Sequence, residues 1–169
     1  MFLQRLVIVF SLCLVFVFTA ATGTAVAAGA DSVQLYKKAV AALDDATKKL
    51  TANDVAGAKK AVKEANALFA KLQAENPEFL RQKELTPQQQ EQWLQNNKMG
   101  QDSQAQGEKL ERSGQAKLQQ SEAMTGQDDV ATKLAQEAKR ELQLAEKAFI
   151  QAQIYHLRNL QMAFSSLAQ

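Results

Sequence analysis

Pro77 and Pro87 are the only prolines in 169 residues, so a chain of helix-favouring residues is interrupted in one short stretch and can run long on either side. Proline disfavours helical geometry at the residue before it, so Asn76-Pro77 ends the helix that precedes it. Pro87, in contrast, suits the first turn of a new helix. Ala, Gln, Lys, Glu and Leu dominate the sequence beyond the first thirty residues, while β-branched and aromatic residues are scarce there. Intrinsic preference is therefore helical. The expected fold is all-α, with antiparallel helical hairpins forming a four-helix bundle and the longer hairpin at the C-terminus.

Apolar spacing places four segments. From Ser32 to Leu50, Val33, Tyr36, Val40, Leu43, Thr47 and Leu50 recur at intervals of three and four, which puts them on one stripe of a helix. Val55, Ala58, Val62, Ala65, Phe69 and Leu72 repeat that spacing up to Glu75. The short link Thr51-Ala52-Asn53-Asp54 between helices of similar length favours an antiparallel hairpin over about 32–75, with Thr51 or Asn53 as the expected cap.

A third segment opens at Thr86 and runs to about Met124. It is polar and glutamine-rich, with Trp93, Leu94, Met99, Leu110, Leu118 and Met124 its main larger apolar residues. Gly100, Gly107 and Gly114 stand seven apart in it, in line with Trp93 and Ser121. On a continuous helix they share one face and allow another helix to come close; the alternative is a helix broken between Gly100 and Gly114. The fourth segment begins at Asp128 or Asp129 and completes a long hairpin over about 87–168. Val130, Leu134, Ala138, Leu142, Ala145 and Phe149 form its first apolar stripe. Ile154, Leu157, Leu160, Phe164 and Leu167 add a second stripe towards the C-terminus, and these five are the candidate core or partner surface. The short hairpin is expected to pack there, leaving a thin two-helix end past Met99.

The N-terminus carries an address. Leu6 to Ala21 is an almost unbroken apolar run after Arg5, and Ala25-Val26-Ala27 offers the small side chains that signal peptidase requires. Residues 1–27 are expected to be a cleaved signal peptide, and 28–169 the helical-bundle domain, periplasmic or secreted. Removing 27 of the 169 residues leaves 142, enough for one domain. Leu6 to Ala30 is also free of charge for 25 positions, long enough to span a bilayer. An uncleaved membrane anchor is the alternative.

Little chemistry is encoded in the rest. The sole cysteine, Cys13, sits in the leader. The sole histidine, His156, has no carboxylate within a helical turn and shares a face with Phe149, Ala152 and Ala163, as a half-buried core residue would. Asp44-Asp45 and Asp128-Asp129 are adjacent pairs, and neighbours on a helix point apart. No catalytic residue, metal ligand or cofactor is expected. The formal charge of +2 falls to +1 without Arg5, which argues against nucleic acid and against strong membrane binding once the leader is removed.

Leu85-Thr86-Pro87-Gln88-Gln89 matches the LTxxQ pattern and in this resembles the Spy/CpxP-type periplasmic helical proteins. The resemblance implies an ATP-independent chaperone or envelope-stress accessory, acting as a dimer with a concave helical surface. The same five residues also read as a local helix cap, with Thr86 as N-cap, Pro87 in the first turn and Gln89 completing a capping box. The leading expectation is a non-enzymatic exported helical protein that acts through protein–protein interaction in the cell envelope. Its partner is another protein or a second copy of itself.

Overall fold

A computed structural model describes residues 29–77, 85–124 and 128–168. The expected signal peptide and its cleavage site lie outside them. The fold is an all-α helical bundle of two hairpins: α1 (Ala30–Thr51) with α2 (Val55–Glu75), and α3 (Pro87–Ala123) with α4 (Asp128–Ala163). A 3-10 turn, Ser165–Ala168, follows α4.

Each helix end has an identifiable cause. The α1–α2 turn passes through Asn53 at φ 62°, a left-handed conformation that asparagine tolerates better than most residues. The cap of α2 is Asp54, one residue beyond the expected Asn53, and its Oδ1 accepts from the Gly57 N–H at 2.9 Å. Asn53 is committed to the turn itself, and the Thr51 hydroxyl donates back to the Thr47 carbonyl at 2.9 Å. At the open end of this hairpin, buried Ser32 donates to Asn76 Oδ1 at 3.1 Å, while Asn76 Nδ2 donates to the Leu72 carbonyl at 3.1 Å. Polar contacts thus tie the short hairpin at both ends.

The core forms where α1 and α2 meet the second half of α4. Tyr36, Leu43 and Leu50 of α1, Val62, Phe69 and Leu72 of α2, and Ile150, Ile154, Leu157 and Leu160 of α4 belong to one buried cluster. Each large side chain there contributes about 1.5–3 kcal/mol relative to exposure. Small residues set the spacing: Ala39, Ala46, Ala58 and Ala65 are fully buried. Val33, Val40 and Thr47 flank the α1 seam half-buried instead of lying at its centre. Helices in close contact place alanine at the point of nearest approach and push branched side chains to the margins.

The face of α4 that receives the short hairpin is apolar only in the C-terminal half. Followed back towards Asp128 at intervals of three and four, it continues as Gln143, Lys139, Gln136 and Thr132, all exposed. The hairpin turn stops where that change occurs. Lys59 pairs with Glu146 at 2.6 Å, and Lys147 Nζ donates to Asn53 Oδ1 at 3.2 Å. Among the described residues, α3 and α4 continue alone beyond this level, as a two-helix stalk about 27 Å long over the 18 residues 128–145. Val130 lies exposed on the stalk, away from the apolar stripe expected of it, and Leu134 and Leu142 are half-buried. Two helices cannot cover a stripe that four would.

Candidate functional site

Ile154, Leu157, Leu160, Phe164 and Leu167 come together in the head, all buried against α1 and α2. Polar ties position this end of α4 over α1. The Tyr36 hydroxyl donates to the Gln161 carbonyl at 3.2 Å, and burial followed by the nearby Asp44 charge raises its pKa. Arg158 Nη1 pairs with Asp44 at 2.9 Å and donates to Gln161 Oε1 at 2.8 Å, while Nη2 donates to Thr47 Oγ1 at 3.1 Å.

One buried polar residue has no place in an apolar stripe. Asn159 is 2 % exposed, yet its amide is fully used against α3. Asn96 Nδ2 donates to Asn159 Oδ1 at 2.9 Å, and Asn159 Nδ2 donates to Asn97 Oδ1 at 2.7 Å and to the Trp93 carbonyl at 3.4 Å. This cluster fastens α3 to the head, where Trp93 packs half-buried against the core. The sequence signal for it is the position of Asn159, one heptad beyond Ala138, Ala145 and Ala152.

The stalk is built on the glycine seam. α3 is one continuous helix of 37 residues, and its glycines face α4. A methyl group on Gly107 would stand 2.6 Å from Phe149 Cε1; one on Gly114 would stand 2.9 Å from Leu142 Cγ and 3.1 Å from the Ala138 carbonyl oxygen. Gly100 has more room, with the Ala152 carbonyl oxygen and Tyr155 Cβ both at 3.6 Å. Beside the seam, Lys117 pairs with Glu137 and Glu141, each at 2.9 Å. The Ser113 hydroxyl and Lys117 hold the Glu141 carboxyl below the usual carboxylate range, and the two carboxylates raise Lys117 in turn.

Open grooves mark the surface of the described residues, three of them beside α4. Two lie between α1 and α3 with α4 as floor, of about 390 and 420 Å³, and share Gln92, Asn96 and Arg158 in their walls. The third, of about 390 Å³, runs along the stalk between Leu118 of α3 and Ala135, Lys139, Leu142, Gln143 and Glu146 of α4. Among the described residues, the large apolar side chains left exposed are Leu118, Val130 and Leu144 on the stalk, and Leu94 and Met99 on the outside of α3.

His156 is exposed and not the half-buried core residue expected. Enough protein surrounds its ring for desolvation to lower its pKa. Among the described residues, no group of three or more His, Cys, Asp or Glu is placed to hold a metal ion, and no helix is long and apolar enough to cross a membrane. Thr86, Pro87 and Gln89 open α3 as a capping box: the Gln89 N–H donates to Thr86 Oγ1 at 3.2 Å, and the Thr86 N–H donates to Gln89 Oε1 at 3.0 Å. No family model matches the chain, and no curated protein or solved structure is significantly similar to it.

Proposed function

We propose that this chain is a non-enzymatic, exported helical protein that works in the cell envelope by binding another protein through its α3–α4 stalk. The observation that carries this reading is the contrast between the two halves of α4. The C-terminal half spends its apolar surface on the chain's own core. The N-terminal half projects as a stalk, with a groove walled by Leu118, Ala135 and Leu142 on one side and Val130 and Leu144 exposed on the other. Lys139 and Glu146 flank that groove with opposite charges, a pattern suited to a partner helix with a narrow apolar stripe and charged margins.

Site-specific photocrosslinking in intact cells tests the proposal. A crosslinker at Leu118 or Gln143 is expected to give a discrete adduct, and one at Lys63 in the head is expected to give none. Adducts from the head alone, or none from the stalk, would remove it. Export has its own check, since the purified mature chain should begin at Ala28. An intact N-terminus in the membrane fraction would support the anchored alternative instead.

The chaperone alternative takes its support from Leu85–Gln89, whose capping geometry also accounts for those residues locally. It predicts nucleotide-independent suppression of aggregation of an unfolded client at near-stoichiometric ratio. No suppression would end that reading.

A further inference from the structure

The α3–α4 seam repeats. Gly100, Gly107, Gly114 and Ser121 recur every seven residues along α3, and Ala131, Ala138, Ala145 and Ala152 recur every seven along α4. The observed antiparallel register sets Gly100 against Ala152 and Gly114 against Ala138, with Phe149 over Gly107 and Leu142 over Gly114. A slip of one heptad changes none of this in kind. Small residues still face small residues, and Phe149 still meets a glycine, Gly100 or Gly114. Packing along this seam is therefore nearly degenerate between registers one heptad apart, each displaced by about 10 Å.

Besides Trp93, which a slip withdraws from the core, two polar contacts break the degeneracy, one at each end. Asn159 continues the alanine series as its one polar member, and it meets its amide partners only where Trp93 and Asn96-Asn97 lie across from it. A slip in either direction takes the Asn159 amide from both asparagines and sets it against Ser103 and Gln104 or against Gln89 and Gln90, whose side chains differ in reach, so its bonds must be remade. Lys117 reaches Glu137 and Glu141 in the observed register alone. A slip brings Leu110 or Met124 to those carboxylates. A buried asparagine that selects among apolar pairings of equal fit is a known register device in coiled coils.

We infer that the α3–α4 hairpin is a two-clamp sliding pair. Asn159 with Asn96 and Asn97 at the head, and Lys117 with Glu137 and Glu141 on the stalk, hold one of several heptad-related registers. Releasing both clamps lets α3 move along α4 by about 10 Å, which carries a change at the head to the stalk surface.

Spin labels on Gln101→Cys and Lys133→Cys, both exposed and on opposite halves of the hairpin, read the register as a distance in the exported full-length chain. The otherwise native protein should give one distance. The variant Asn159→Leu with Lys117→Gln should give at least two, separated by about 10 Å. Moving the clamp instead of deleting it, by Ala152→Asn with Asn159→Ala and Lys117→Gln, and with Ser103→Ala and Gln104→Ala to remove partners in the unslipped register, should shorten the distance by about 10 Å as a single population. If the released variant unfolds, the moved-clamp variant decides. An unchanged distance in both variants, with helix content intact, overturns the inference. Unfolding of both overturns it too, because a degenerate seam would have offered a neighbouring register.

Discussion

Gly107 sits so close under Phe149 that a single added methyl group would come within 2.6 Å of the ring. Gly100, seven residues earlier on the same face, has 3.6 Å to its nearest neighbours. The two glycines therefore predict opposite responses to one substitution. Gly100→Ala removes the backbone-entropy penalty of glycine and should stabilise the protein by up to about 1 kcal/mol. Gly107→Ala gains the same propensity but must displace the Phe149 ring, and overpacking of this kind costs about 1–3 kcal/mol. Thermal melting should rise for the first and fall for the second. A rise of equal size in both would mean that the helices stand further apart than described.

Truncation after Gln153 removes Ile154, Leu157, Leu160, Phe164 and Leu167 from the core at once. At about 1.5–3 kcal/mol for each side chain, the loss is on the order of the whole stability of a domain this size. Circular dichroism should show a chain without a cooperative melt. A retained, unshifted transition would mean that these residues are not what holds α1 and α2 to α4.

Asn159→Ala deletes the amide that Asn96 and Asn97 share. Both partners lie near the surface and can turn to water, so the expected cost is about 1–3 kcal/mol in denaturant unfolding. Asn96→Ala should cost a comparable amount, because it leaves the buried Asn159 Oδ1 without its donor. No measurable cost for either variant would contradict the central position of Asn159.

Acid should weaken the fold in two stages. His156 has a folded-state pKa below its ordinary value of 6.5, so the unfolded chain binds a proton that the folded chain resists. Its contribution is present above about pH 6.5 and is lost as the pH falls through that value and below. Glu141, lowered from 4.5 by Ser113 and Lys117, follows the same sign at lower pH, as its carboxylate protonates and releases Lys117. His156→Gln should flatten the upper stage of a melting-temperature profile and leave the lower one. Identical profiles for both proteins would remove His156 as the cause.

Local pattern was enough for much of this architecture. The intervals of three and four from Tyr36 to Leu50 and from Ala58 to Leu72, and the two-sided apolar stretch after Ile150, place the short hairpin on the end of the long one. The details that escaped depend on distance between elements. Valine outranks alanine in hydrophobicity, but Ala39 and Ala46, not Val33 and Val40, occupy the α1 seam because close helices admit only small side chains there. The glycine series could not settle whether α3 is continuous, since the compensating partner, Phe149 with Leu142, lies on another helix. Asn159 escapes a local pattern because its bonding partners are more than sixty residues away in sequence. Val130 has the right spacing for a core, yet among the described residues no third helix reaches the stalk to cover it.

The central claim is that α4 is one helix with two duties, its C-terminal half locked into a closed head and its N-terminal half presented on a stalk. Native-state amide hydrogen exchange along α4 tests this most directly, because local opening follows the density of buried contacts. Exchange should be slowest between Ile150 and Leu160, together with Leu43 and Phe69, and markedly faster from Val130 to Leu144. Uniform protection along the whole helix, or a stalk slower than the head, would contradict it.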